Sequence, residues 1–218
     1  MNIINHKKSK TLFDLDSESI SSKTSNFSSN SGKSFFGLRF GGIKRDNNHI
    51  YFYSEVDRSS IQHLIELLME AESYCIEMKN SLRIKKIPIY LHINSFGGCI
   101  FSAFNAIDYM ETCSVPIYTV VEGSTASAGT LISVCGRKRY IRKNAYMLIH
   151  QLSSECWGKM AEIEDSYKNL KGLMSKIRNH YKEYTAIPKD ELKVMLKHDL
   201  WMNSDKCLEY GIVDDFFE

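Results

Sequence analysis

The chain has 218 residues, of which 43% are hydrophobic and 25% charged, with a formal net charge of +2. That balance suits one globular domain with a sizeable core plus a tail, and it points to no nucleic-acid or membrane partner. No apolar run is long enough to span a bilayer, and the start, "MNIINHKKSK", lacks the apolar centre of a secretory signal.

Residues 1–34 stand apart. The stretch "SESISSKTSNFSSNSGKS" is serine-rich and poor in large apolar groups, so it buries too little surface to offset the entropy of ordering and reads as a disordered tail. Residues 35–50 begin with "FFGLRFGG", aromatics interleaved with glycines, which reads either as an arm docking on another subunit or as a first strand and turn. The folded domain is expected to begin near Ile43. "HIYFYSEV" reads as a strand. From Arg58 to about Asn80, Ile61, Leu64, Ile65, Leu68, Ala71, Cys75 and Met78 recur at helical spacing. "IPIYLHI" reads as a strand with Pro88 at its start, where a missing N–H matters least. A loop "NSFGG", a helix over about Ile100–Thr112 and a strand "VPIYTVV" follow. The small apolar segment Ser127–Cys135 suits a buried helix, and "KRYI" and "AYMLIH" read as short strands. The basic run Arg137–Lys143 reads as a solvated turn and strand.

Further on, Met160, Ile163, Tyr167, Leu170, Met174, Ile177 and Tyr181 step by three and four. This heptad seam suits either a single partner helix or the domain's own core. "PKDELKVMLKHD" predicts a helix with Pro188 in its first turn. A short helix over about Ser204–Tyr210 is expected to be capped by Asn203 and stopped by Gly211. Strands alternating with helices predict an α/β domain of mainly parallel strands, with sites in loops at the strands' carboxyl ends. The cysteines (Cys75, Cys99, Cys113, Cys135, Cys156 and Cys207) are scattered, with no C-x-x-C pair and no metal-ligand spacing. They suit a reducing compartment, the cytoplasm or the stroma or matrix of an organelle.

The loop "GSTASAG", Gly123–Gly129, holds a candidate nucleophile. Ser127 would stand at the amino end of the buried helix, where free N–H groups favour a developing negative charge. It is not the G-x-S-x-G elbow, because Thr125 occupies the first glycine position. Taken alone, Ser127 reads equally as a helix cap, His150 as a hydrogen-bonded residue at a strand end and Asp199 as a solvated acid. Nothing in the sequence alone joins them in space.

"INSFGG" (Ile93–Gly98), "GSTASAG", "MLIHQ" (Met147–Gln151) and "WMNSDKCLEYGIVDD" (Trp201–Asp215) together, in this order, resemble the proteolytic subunit of Clp protease, from about Tyr51 to the end. The resemblance implies an α/β fold of the Clp peptidase and crotonase type, a superhelix of stacked β-α-β units over 51–218 with a protruding helical handle at about 152–184. It implies Ser127 as nucleophile, His150 as general base and Asp199 as its orienting acid, with the N–H groups of Gly98 and Ala128 as oxyanion donors. Ser124 and Thr125 match no nucleophile position. The implied activity is serine endopeptidase action on unfolded polypeptides within two stacked seven-membered rings, without metal or cofactor. An AAA+ unfoldase would supply the ATP hydrolysis, since this sequence has no G-x-x-x-x-G-K-[ST] loop.

The sequence departs from the family's pattern at several points. Lys79–Lys86 lengthens a connection, and His198 replaces an arginine that helps couple ring contacts to the active state. Tyr90 keeps an aromatic of the unfoldase-docking pocket, but His92 and Thr112 stand where aromatics are usual. A polar pocket holds an apolar loop less well, each large apolar contact being worth roughly 1.5–3 kcal/mol. Three alternatives therefore stay open: an unfoldase-independent maturation protease, such as one cutting a viral capsid precursor; a non-catalytic ring subunit; and a hydratase of the related crotonase fold.

Overall fold

The computed structural model describes residues 42–218. The readings of residues 1–34 as a tail and of 35–41 as an arm or strand lie outside the described residues. The first elements are β1 (Ile43–Asp46) and β2 (His49–Phe52), an antiparallel hairpin that pairs Ile43 with Phe52. Its turn uses Asn47 at φ 55, a conformation asparagine tolerates better than most residues. Helix α1 (Arg58–Leu82) starts at a reciprocal cap: Ser60 N–H donates to Asp57 Oδ1 at 2.7 Å and Asp57 N–H donates to Ser60 Oγ at 2.9 Å. It buries Ile61, Leu64, Leu68, Ala71 and Cys75, most of the expected stripe, and ends at Arg83 with φ 54.

Next come β3 (Ile89–Ser95), α2 (Ile100–Thr112) and β4 (Ile117–Ala126). β2, β3 and β4 are parallel, and their residues Ile50, Phe52, Leu91, Ile93 and Val121 form the floor of the core. β4 is long enough to serve two neighbours. Tyr118–Val121 pair with β5 (Lys138–Ile141), and Ser124–Ala126 pair with β6 (Tyr146–Leu148), both parallel. β6 pairs antiparallel with β7 (Trp201–Asn203), and β5 pairs parallel with β8 (Asp215–Phe216). The result is an eight-stranded, mainly parallel sheet, as the alternating pattern predicts. Helix α3 (Ala128–Val134) follows β4 and is buried along its whole length.

Helix α4 (Met160–Tyr184) answers the question about the seam in two parts. Ile177 and Tyr181 are buried in the domain's own core, whereas Met160 and Tyr167 are 72% and 66% exposed and Ile163 is also exposed. Helix α5 (Lys189–Met195) begins one residue later than expected: Pro188 is its cap, in extended conformation with ψ 142, and not a residue of the first turn. In α6 (Ser204–Glu209), Asn203 Oδ1 accepts from Lys206 N–H at 3.0 Å, and Gly211 follows at φ 58. The basic run is less solvated than expected. Arg139 pairs with Asp214 and donates to the Gly211 carbonyl, and Arg142 donates to Glu122 at 3.1 Å. No helix among the described residues is long and apolar enough to cross a membrane.

Two buried histidines make stability depend on pH. Burial, aided by His49 and Arg142, holds His92 below the ordinary 6.5 against the pull of Glu122. Burial, with Lys176 nearby, does the same to His180 against its hydrogen bond to the Leu131 carbonyl and against Glu183 and Glu111. Between the folded and unfolded values the unfolded chain binds more protons, so stability is full above about pH 6.5 and falls as pH drops through the folded values. Glu122 adds to this at lower pH. Burial works upward on it, but bonds from Tyr53, His92 and Arg142 outweigh that and hold it below 4.5. Thermal unfolding is expected to show a flat midpoint above about pH 7 and a falling one below about 6.5. His180→Gln should lessen the first part of the fall, and a midpoint level down to about pH 5 contradicts the account.

Candidate active site

The fold brings the ends of β4, β6 and β3 to one place. β4 ends at Ala126, and Ser127 then takes φ 53 and ψ −126 before α3 begins at Ala128. A non-glycine residue in such a region costs about 1–3 kcal/mol and persists only where neighbours enforce it. Here Ser127 N–H donates to the Leu148 carbonyl at 3.0 Å, and the Ser127 carbonyl accepts from Thr130 N–H at 3.0 Å. Gly97, at φ 96, lies against the turn. A Cβ there would stand 2.6 Å from Ser127 Cβ and 2.9 Å from the Ala128 nitrogen, so only glycine allows the approach.

The parallel register of β4 on β6 sets Ala126 beside Leu148, which brings Ser127 next to the residues leading to His150. The antiparallel register of β6 on β7 pairs Leu148 with Trp201. Extended by two residues in each chain, it sets His150 opposite Asp199. The side chains meet there, with His150 Nδ1 2.8 Å from Asp199 Oδ1. A carboxylate accepts, so Nδ1 carries the proton and Nε2 is left as the basic nitrogen. Gln151 N–H, donating to the Leu196 carbonyl at 2.8 Å, ties the two segments together once more. Asp199 is 76% exposed and His150 26% exposed.

Ser127 and His150 line one cleft of about 660 Å³ with Tyr53, Glu55, Phe96 and Gly98. A narrow slot of about 20 Å³ opens beside both, walled by the apolar Ile100, Leu131, Leu152 and Ile177. Among the hydrogen bonds of the described residues, none joins Ser127 Oγ to His150. A larger cavity, of about 720 Å³ between Cys113, Arg137 and Tyr184, contains no candidate catalytic residue.

The strip Val56–Cys99 explains the second loop. Val56 N–H donates to the Gly97 carbonyl at 2.7 Å and Cys99 N–H to the Val56 carbonyl at 2.6 Å, clamping "NSFGG" on both sides of Gly98. Among the described residues, the N–H groups of Gly98 and Ala128 donate to no acceptor of the chain. Ala128 owes this to its place in the first turn of α3, where N–H groups lack intrahelical partners. A Cβ on Gly98 would lie 2.4 Å from the Val56 carbonyl oxygen, so this position too admits only glycine. No cluster of metal-ligating side chains occurs among the described residues.

Comparison with known proteins adds to this geometry. The model of the family described as Clp protease matches residues 44–218. The chain belongs to the Clp protease family. The match begins several residues before Tyr51, at β1, so the hairpin belongs to the family's domain as well. Relatives named ATP-dependent Clp protease proteolytic subunit 2 occur in Treponema pallidum, 27% identical over 87% of this chain and 90% of the relative, and in Bacillus licheniformis, 33% identical over 60% and 68%. ATP-dependent Clp protease proteolytic subunit 1 of Chlamydia trachomatis serovar D is 26% identical over 78% of this chain and 85% of its own. The α/β architecture agrees with the Clp protease fold expected from the motifs.

In this Clp protease family chain His92 and Thr112 differ in character. His92 is buried, with Nδ1 donating to Glu122 Oε1 at 3.0 Å and Nε2 2.9 Å from His49 Nδ1. Glu122 also accepts from the Tyr53 hydroxyl, and Tyr53 lines the cleft. Thr112 ends α2, exposed, with its hydroxyl turned back to the Asp108 and Tyr109 carbonyls. In the sequence Gly97 is marked only by its doublet with Gly98, Tyr181 only as a seam position, and Thr130 by nothing.

Proposed function

We propose that the chain is a serine endopeptidase acting on unfolded polypeptides by an acyl-enzyme route, inside a ring assembly of its own copies. The observation that carries this reading is a strained serine and a histidine hydrogen-bonded to a carboxylate at one cleft, with the unpartnered amides of Gly98 and Ala128 lining that cleft and the slot beside it. Family membership and the peptidase-subunit names of the relatives support it.

In this mechanism Ser127 Oγ attacks the scissile carbonyl as His150 Nε2 takes its proton. Asp199 keeps the proton on Nδ1 and favours the imidazolium. The N–H groups of Gly98 and Ala128 receive the oxyanion. His150 then gives its proton to the leaving amine, and water repeats the sequence to release the acid. The mechanism requires a Ser127–His150 hydrogen bond when substrate is bound, and such bonds commonly tighten only in that complex. The apolar slot, at about 20 Å³, leaves room for no more than a small apolar group on the acyl side of the cut bond.

The exposed half of the α4 seam, Met160, Ile163 and Tyr167, fits burial against a second copy, in keeping with two stacked seven-membered rings. The ATP-driven feeding of such a chamber would fall to an AAA+ partner. One observation favours a second reading, a maturation protease that needs no unfoldase: the docking position His92 is buried and hydrogen-bonded to Glu122, which is itself paired with Arg142. Cleavage of a single co-expressed protein without ATP would favour it over the first.

A fluorophosphonate probe combined with native mass measurement tests the reading. The expected result is one adduct per subunit, on the peptide carrying Ser127, in a particle of fourteen copies. An adduct on Ser124, or no adduct together with active peptide hydrolysis, refutes the assignment.

A further inference from the structure

We infer that Thr130 and Tyr181 are positioning residues that aim the Ala128 amide at the oxyanion. The inference rests on the serine-peptidase reading and extends it to a hydrogen-bonded chain through helix α4. Three observations build it. Thr130 Oγ1 lies 2.6 Å from the Ser127 carbonyl oxygen. The same Oγ1 lies 2.7 Å from the hydroxyl of Tyr181, a fully buried side chain of α4. The Ser127 carbonyl also accepts from Thr130 N–H at 3.0 Å.

The donor assignments follow from counting protons. A carbonyl only accepts, so the single proton of the Thr130 hydroxyl goes to Ser127. Tyr181 must therefore supply the proton of the second bond. Burial pushes the Tyr181 phenol well above its ordinary value, against the smaller effect of the Thr130 bond, so it keeps that proton. The chain reads Tyr181 O–H to Thr130 Oγ1, then Thr130 O–H to the Ser127 carbonyl. Both hydroxyls belong to buried side chains, shielded from water, where such bonds strengthen one another.

The consequence lies in the next peptide bond. The Ser127 carbonyl and the Ala128 N–H belong to one planar trans unit and point in opposite directions. Fixing the carbonyl from behind therefore fixes the direction of the amide in front. Polarising the carbonyl also makes that amide a better donor. The unit needs such support because Ser127 holds it at φ 53 and ψ −126, a region an L residue leaves readily when released. A donor aimed at the oxyanion acts in the transition state and little in the ground state.

The test compares kcat and KM for a fluorogenic peptide on the assembled wild-type protein and its variants, with the rate of fluorophosphonate labelling measured in parallel. Tyr181→Phe keeps the ring and removes the proton. It is expected to lower kcat and labelling rate about tenfold with KM unchanged, since losing one oxyanion donor outright costs about 10²–10³. Thr130→Val should lose at least as much, Thr130→Ser should restore most of the rate, and Thr130→Val with Tyr181→Phe should be no worse than Thr130→Val alone. A Tyr181→Phe protein with unchanged kcat, an additive double variant, or a Thr130→Ser as impaired as Thr130→Val each overturns the inference. Should Tyr181→Phe fail to fold, the Thr130 pair decides alone. Failure of the underlying reading is distinct: the wild-type protein would then hydrolyse peptide without labelling at Ser127.

Discussion

Ser127→Ala is expected to lower kcat for peptide hydrolysis about 10⁶-fold and to abolish fluorophosphonate labelling, while the melting temperature stays where it was. The size of the loss follows from the unit character of a nucleophile and its base, where removing either leaves only binding and oxyanion stabilisation. His150→Ala should lose about as much, and the two together no more than either alone. The unchanged stability follows from the backbone. Alanine at φ 53 and ψ −126 is strained as serine is, and the serine side chain makes no hydrogen bond as helix cap that its loss would remove. Ser127→Gly separates the two roles. Glycine adopts this region freely, so relief of about 1–3 kcal/mol of strain outweighs the roughly 0.5–1 kcal/mol it adds to the entropy of the unfolded chain. That variant should be equally inactive yet melt a few degrees higher. Ser127→Ala hydrolysing peptide within tenfold of the wild type would refute the nucleophile. A Ser127→Gly protein melting lower than wild type would refute the strain.

The strain at Ser127 marks the limit of what the sequence discloses. Local patterns are readable because their causes are local. Ile61, Leu64, Leu68 and Cys75 announce α1 by spacing, and the Asn203 cap with Gly211 bounds α6 at both ends. β1 escapes such reading because "IKRD" carries one apolar residue and owes its strand state to pairing with β2. Tyr181 looks like any seam position, yet its ring enters the core and its hydroxyl finds Thr130, 51 residues away. The Gly97–Gly98 doublet reads as one flexible point, although the two glycines answer different neighbours, the serine turn and the Val56 carbonyl. The meeting of His150 with Asp199 depends on the register of two strands of three residues each, too short for any pattern to specify. Only the motifs' order suggested it.

That register has a measurable consequence at Asp199. Asp199→Asn is expected to lower kcat by about 10³–10⁴ with little change in KM or in the native mass. A comparable loss, about 10⁴, follows in a serine protease triad when the acid becomes an amide, because the amide fails to hold the productive tautomer. Here the carboxylate accepts from Nδ1 at 2.8 Å, which leaves Nε2 free to take the serine proton. An asparagine can offer its NH₂ to Nδ1 instead, which places the imidazole proton on Nε2 and removes the base from the reaction. The lower end of the range reflects exposure. Asp199 is 76% exposed, so water screens its charge, and in the proposed mechanism its part is chiefly geometric. Asp199→Glu should therefore fail nearly as badly despite keeping the charge, since a longer arm misplaces the acceptor. In the proposed mechanism Asp199 works only through His150, so adding Asp199→Asn to His150→Ala should cost nothing further. If the two losses multiply instead, Asp199 acts independently of the histidine, and the pairing between them is structural.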